Sequence, residues 1–272
     1  MQRRLRLQLW LSPPVVAQSP AANTAVASGS TVTISISTGP SNQNPAGVYS
    51  GTIAENGVSV SVIAMVSPNG QYLAQATNLS NQCADVSTGQ LTVTGNTFTG
   101  SGVVYFTSAS VTAGCTDPDG STQGTWTVTG SFVQGVSATV TFVDTTANGT
   151  VTNAPTETIN TSSLYNQPSS LADVTGNWTT LDGTTVSVTS NGTVSAQDAT
   201  NGCVINGTVS IINASFNLYS VSFAYASCTG SNAGLNGQTL NGLGYLSTST
   251  TFYAEQTNDQ ETYIDYGSLT KQ

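Results

Sequence analysis

From Gly47 onward, apolar and polar residues alternate with a period of two. Val58-Ser59-Val60-Ser61-Val62, Leu91-Thr92-Val93-Thr94 and Trp126-Thr127-Val128-Thr129 follow the pattern, as does Tyr219-Ser220-Val221-Ser222-Phe223-Ala224-Tyr225 apart from the small Ala224. Such alternation sends one set of side chains to a buried face and the other to water, so each run predicts a half-buried strand. Thr, Val and Tyr also suit a pleated surface. Among the runs lie Asn69-Gly70, Asp119-Gly120, Asp182-Gly183, Asn191-Gly192 and Asn206-Gly207, dipeptides that supply the positive φ angles of tight hairpins. The expected fold is all-β, built from antiparallel up-and-down meanders that close as small barrels or fold as sandwiches. No convincing helix is predicted.

The pattern occurs twice. Gly47-Val48-Tyr49 opens one half and Gly176-Asn177-Trp178 the other. Each opening leads through an alternating strand, Asn69-Gly70 or Asn191-Gly192, and a further strand to Cys83 or Cys203. A second cysteine follows at Cys115 or Cys228, and aromatic-bearing strands close each half. Two related units are therefore expected, at 46–143 and 172–272. Residues 144–171, polar and carrying Pro155 and Pro168, read as a linker, as do residues 18–45 with one possible strand from Thr31 to Ile36.

Composition narrows the chemistry. Charged residues are 6% of the 272, hydrophobic residues 38%, and the net charge is −9. Solubility must come from Ser, Thr, Asn, Gln and Gly, a palette of extracellular β proteins. The basic residues are Arg3, Arg4, Arg6 and Lys271, too few to neutralise phosphates, so nucleic acid is excluded as a partner, as is attraction to anionic lipid. The absence of histidine removes Ser-His-Asp and Cys-His catalysis and His-ligated zinc. Residues 1–17 read as an export signal, with a basic start, an apolar Leu7-Gln8-Leu9-Trp10-Leu11 and a small-residue site at Val15-Val16-Ala17. No stretch has the roughly 20 apolar residues of a membrane span. No cysteine precedes Cys83, so no lipid-anchor site is expected.

Four cysteines allow three pairings. The repeat selects Cys83–Cys115 and Cys203–Cys228, each within its own half. Disulfides persist in oxidising compartments, so this reading supports export to the periplasm, cell surface or exterior. No pair has the Cys-x-x-Cys spacing of a structural zinc site.

The chain resembles a family of secreted or lipid-anchored proteins of Gram-negative bacteria, mostly uncharacterised. The resemblance covers residues 46 to 272. It rests on Gly47-Val48-Tyr49-Ser50-Gly51-Thr52, Ser67-Pro68-Asn69-Gly70-Gln71-Tyr72, Phe98-Thr99-Gly100-Ser101-Gly102, Tyr165-Asn166-Gln167-Pro168, Thr175-Gly176-Asn177-Trp178, Ser190-Asn191-Gly192-Thr193, Gly202-Cys203-Val204-Ile205-Asn206-Gly207 and Leu243-Gly244-Tyr245. These segments specify fold better than activity. Family members usually begin with a lipoprotein signal and its cysteine, where this sequence departs. More loosely, Thr175-Gly176-Asn177-Trp178 followed by the Asn191-Gly192 hairpin is similar to the opening of calycin-type barrels such as avidins and lipocalins. The resemblance implies a small ligand inside a barrel, and carries over no contact residue.

Candidate chemistry is sparse. Asp117-Pro118-Asp119-Gly120 has the start of a calcium loop but no following bidentate glutamate, and reads as a turn. Glu255, Asp259, Glu261 and Asp265 read as a solvated terminal hairpin. Paired carboxylates could hydrolyse glycosides, but no spacing singles out a pair, and the best base for a serine nucleophile would be Lys271, at the extreme terminus. Sequons at Asn78, Asn148, Asn160, Asn177, Asn191, Asn206 and Asn213 would matter only in a eukaryotic secretory host. Tyr49, Tyr105, Trp126, Trp178, Tyr219 and Tyr225 are candidates to line a ligand site, although core burial is the ordinary role of strand aromatics. The expectation is a non-catalytic binding module for a small molecule or another surface or matrix protein, with no cofactor and no metal. The alternative is a self-assembling envelope or matrix subunit using the Thr31–Ile36 strand as an edge. A carboxylate-dependent hydrolase ranks third.

Overall fold

In the computed structural model the described residues are 15–36, 44–55, 58–153, 156–198 and 200–272. The chain divides into two compact units, residues 1–43 and 44–272. The described part of the first is a two-stranded antiparallel sheet of β1 (Val15–Ser19) and β2 (Thr33–Ile36). The strand expected near Thr31 is thus paired with the end of the signal-like segment. The rest of that segment, residues 1–14, lies outside the described residues.

The second unit contains two eight-stranded antiparallel barrels in tandem. The eight staves of the first are β3 (Gly47–Glu55), β4 (Val58–Val66), β5 (Gln71–Asn78), β6 (Ala84–Thr94), β7 (Thr97–Phe106), β8 (Gln123–Val133), β9 (Ser137–Thr146) and β11 (Glu157–Thr161), with the short β10 (Val151–Asn153) added beside the end of β9. Strands β10 and β11 run beside successive parts of β9, and β11 also pairs with β3, which closes the barrel through Thr161 and Tyr49. Residues 144–171 therefore do more than link: they supply the closing stave. Its few apolar positions hid it, Ile159 being its one buried residue.

The second barrel comprises β12 (Gly176–Thr179), β13 (Thr185–Val188), β14 (Thr193–Gln197), β15 (Val204–Ile211), β16 (Tyr219–Ala226), β17 (Thr239–Thr248), β18 (Thr251–Thr257) and β19 (Ile264–Lys271). It closes where Trp178 meets Lys271. Among the described residues three short helical pieces interrupt the strands, contrary to the expectation of none: α1 (Ser108–Thr112), α2 (Leu171–Val174) and a 3₁₀ turn at Gly230–Leu235. The Thr107 and Ser170 side chains cap α1 and α2, satisfying amides a helix start leaves open.

Four of the five turn dipeptides sit in turns, their glycines at φ of +82° to +88°. The exception is Asn206-Gly207, which lies inside β15 opposite Ala224 and Phe223. A Cβ on Gly207 would stand 2.1 Å from the Ser222 carbonyl oxygen, so this glycine is needed for close approach rather than for a turn.

The repeat extends to detail. Tyr49 and Trp178 are both buried, and each donates to the carbonyl four residues upstream, Tyr49 Oη to Pro45 and Trp178 Nε1 to Val174, at 2.8 Å. Cys83–Cys115 and Cys203–Cys228 are both bonded. Each bridge joins the start of its barrel's fourth strand, β6 or β15, to the segment that follows the fifth, β7 or β16.

The barrels pack wall to wall. Outward-facing Val48, Met65 and Leu73 of the first meet Leu218, Leu243 and Tyr245 of the second, with Tyr165 between them and stacked on Phe216 at 4.7 Å. Asn217 holds the connection, with Nδ2 donating to the Leu164 and Leu246 carbonyls and Oδ1 accepting from the Leu246 amide.

Candidate functional site

Alternation places Val186, Val194, Ala196, Ile205, Phe223, Tyr225, Leu240, Ala254, Gln256, Gly267 and Leu269 along the inner wall of the second barrel. The inner positions divide by depth. At one end Trp178, Tyr219 and Phe252 meet edge to face, with centroids 6.2 and 5.7 Å apart, and fill the floor. Toward the disulfide end the wall residues become small: Ala196 on β14, Ala254 on β18 and Gly267 on β19. Ala254 and Gly267 are register partners, and a Cβ on Gly267 would meet nothing within 4 Å. The missing side chains leave a bowl of about 610 Å³, reaching from the apolar wall to a rim that carries Leu181, Leu235 and, from the first barrel, Ser108. Leu181, at the tip of the β12–β13 hairpin, is 91% exposed.

Three polar side chains converge in the bowl. The Tyr225 hydroxyl donates to Asp265 Oδ2 at 2.7 Å, and Gln256 Nε2 donates to the same oxygen at 2.8 Å and to Tyr225 Oη at 3.0 Å. This fixes the amide orientation, because a reversed Gln256 would set Oε1 against the carboxylate. Gln256 is 4% exposed, and its Oε1 has no hydrogen-bond partner. Burial, and then the Asp265 charge, push the Tyr225 hydroxyl far above the ordinary tyrosine range, so it stays a donor. The other carboxylates of the bowl are occupied. Asp198 accepts from the Thr200 and Asn201 amides and from Asn201 Nδ2. Burial raises its pKa, but these bonds together leave it below the ordinary value. Asp182 accepts from the Thr180 hydroxyl and the Thr184 amide, and the Thr180 bond chiefly lowers its pKa.

The first barrel has a counterpart, much narrower. Trp126 sits edge to face with Tyr72 at 5.1 Å and with Phe142 at 6.0 Å, and these rings occupy most of the space. A cavity of about 180 Å³ remains, bordered by Asp85, Asp117 and Asp144. The Asp117-Pro118-Asp119-Gly120 segment beside it is a turn: Gly120 N–H donates to the Asp117 carbonyl, and Asp119 accepts from the Ser121 amide and the Thr146 hydroxyl.

The six aromatic candidates thus separate. Tyr225 lines the large bowl and Trp126 the small one. Tyr49, Trp178 and Tyr219 are packed in the barrel floors, where burial pushes the Tyr49 and Tyr219 hydroxyls up to about 12. Tyr105 faces outward and donates to the Glu261 carbonyl of the second barrel, so it lines neither bowl. Of the C-terminal acids, Asp259 and Asp265 are exposed, as expected of a solvated hairpin, Glu261 is half-buried, and Glu255 departs. Asp265 is exposed to solvent at the bowl. Glu255 is 0% exposed, points away from the bowl into the wall between the barrels, and has no partner for either oxygen. Sequence reading passed over Gln256, Ala254 and Gly267. The available signal was the inward parity of Phe252-Ala254-Gln256, in which ring size falls away and a polar group enters the buried set.

No family model, curated protein or solved structure matches this chain. The site is therefore read from its own geometry. Among the described residues, no helix is long and apolar enough to cross a membrane, and the two disulfides are compatible with an exported protein.

Proposed function

We propose that this chain is an exported, non-catalytic binding protein whose second barrel holds a small molecule in the disulfide-bordered bowl. The observation that carries this reading is the bowl itself, about 610 Å³, within the roughly 300–1,000 Å³ of small-molecule pockets. Its composition supports the same reading: an apolar wall with a few converging polar groups is what orients a ligand. Tyr225, Gln256 and Asp265 form a hydrogen-bonded cluster without a nucleophile poised against a base, which favours binding over turnover. The alternative, a self-assembling envelope subunit, draws less support. Both barrels are closed, which removes their unpaired edges, and the strand expected to add to a neighbour, β2, is already paired with β1.

Fragment screening by saturation-transfer NMR tests the reading, comparing the natural chain with Gly267→Leu. A Cβ there meets nothing within 4 Å, so leucine enters open space and narrows the bowl. Binding of apolar fragments with one polar group, lost in Gly267→Leu, is expected. Fragments that bind both proteins equally, or neither, would refute the bowl as the site.

A further inference from the structure

We propose that the bowl of the second barrel selects an organic cation, an ammonium group carried on an apolar body, with the Asp265 carboxylate receiving the ammonium. The proposal rests on the reading of the bowl as a binding site and adds the chemical class of the ligand.

Three observations carry it. The first is the balance of free hydrogen-bonding capacity. Asp265 Oδ2 accepts from Tyr225 and Gln256, and the residue is exposed at the bowl. Gln256 Oε1 is buried and unpartnered, so it adds an uncompensated partial negative charge behind the wall of the bowl and no direct contact. Both Tyr225 O–H and Gln256 N–H₂ spend donors on the cluster. What the cluster leaves over is acceptor capacity on the carboxylate, which favours a ligand that donates. An ammonium brings up to three donors and no acceptor. The second is charge. Asp182, Asp198 and Asp265 border the bowl, and among the described residues no lysine or arginine does. The one described cation, Lys271, is engaged elsewhere, with Nζ donating to the Asp173 carbonyl and lying 5.2 Å from the Trp178 ring centroid. An anionic ligand would meet uncompensated repulsion. The third is shape. Below the polar cluster the wall consists of Val186, Val194, Phe223, Leu240 and Leu269, which suits an apolar body and would leave a small hydrated metal ion without ligands.

Isothermal titration of the full chain with three probes sharing one indole body tests the proposal: tryptamine (ammonium), tryptophol (hydroxyl) and indole-3-propionate (carboxylate). Tryptamine is expected to bind about tenfold or more tighter than tryptophol, as a charge-assisted bond does over a neutral one, with the propionate weakest. Asp265→Asn should reduce the tryptamine-to-tryptophol ratio to about twofold or less while tryptophol binding persists. Asp265→Glu should keep the preference, and thermal melts report whether either variant is folded. Equal binding of the three probes, or a preference for the propionate, overturns the cation inference but leaves the bowl as a site. No binding of any probe by the natural chain, or binding that survives Gly267→Leu, overturns both.

Discussion

The two barrels share a strand number, a disulfide position and a floor device, yet one is nearly full and the other holds an open bowl. The difference lies in a few inward positions near the disulfide end. In the first barrel Tyr72, Trp126 and Phe142 interlock there; in the second, Ala196, Ala254 and Gly267 leave the space open. Closure and floor are thus the common scaffold, and side-chain volume at the mouth is the variable. A duplicated barrel can lose or keep a cavity without altering strand pairing, because inward residues contribute volume while the ladder is made by backbone.

The largest test of this comparison removes the floor. Trp178→Ala deletes a ring packed on Phe252 and the bond to the Val174 carbonyl. A loss of about 3–5 kcal/mol is expected in urea unfolding. If the floors are equivalent scaffolds, Tyr49→Ala should be comparably severe. A Tyr49→Ala effect below about 1 kcal/mol would break the equivalence.

Next in size are the bridges. Replacing Cys83 and Cys115 together by serine, or Cys203 and Cys228, should each cost about 2–4 kcal/mol. The sequence separations are 32 and 25, so a chain-entropy account makes the two costs agree within a few tenths of a kcal/mol, on the logarithmic scaling of loop length. A larger loss for the second bridge would show that Cys203, which lines the bowl, also supports its wall.

A smaller effect, of opposite sign, is expected where the barrels meet. Glu255 is buried there with both oxygens unpartnered. Burial first, and then Asp85 on β6, raise its pKa well above the ordinary carboxylate value. Tyr72 on β5 and Tyr253 on the same strand as Glu255 also feel its charge, and no cation among the described residues answers it. A raised folded pKa means the carboxyl is best tolerated below its unfolded pKa of 4.5, and that stability falls as pH climbs from there toward the folded value. Glu255→Met should therefore raise stability by about 1–3 kcal/mol at neutral pH, with the gain shrinking toward pH 4. Thermal melts across that range check the slope. A gain independent of pH would mean the carboxyl does not titrate between the two states. The smallest effect belongs to the rim: Leu181→Ser should change stability by less than about 0.5 kcal/mol, yet weaken binding of any ligand that fills the bowl.

Much of the scaffold was legible because alternation and hairpin dipeptides are local signals, and the cysteine order is a simple repeat. The closing stave of the first barrel was not. Glu157–Thr161 contributes one buried apolar residue and is recognisable only through its partners on β9 and β3. The site was legible by half. Periodicity says that Trp178, Tyr225 and Trp126 face inward, but depth along the barrel depends on strand stagger, which assigns one ring to a floor and another to a mouth. Gln256 and Asp265 are neighbours only through the β18–β19 register. Glu255 reads as an ordinary surface acid until a second barrel covers it.

The order in which the barrels close has a consequence for how the chain is assembled. The first needs nothing beyond Thr161, whereas the second stays unsealed until Lys271 reaches Trp178. A chain emerging from its N-terminus can finish one barrel while the other still shows the raw edges of β12 and β18. Throughout that interval the outer patch of Val48, Met65 and Leu73 waits for its cover. Unpaired edges beside exposed apolar surface are what invite misassembly between neighbouring chains. The late-arriving β19 therefore sets the length of the vulnerable window, and chains stalled before it should be the ones that aggregate.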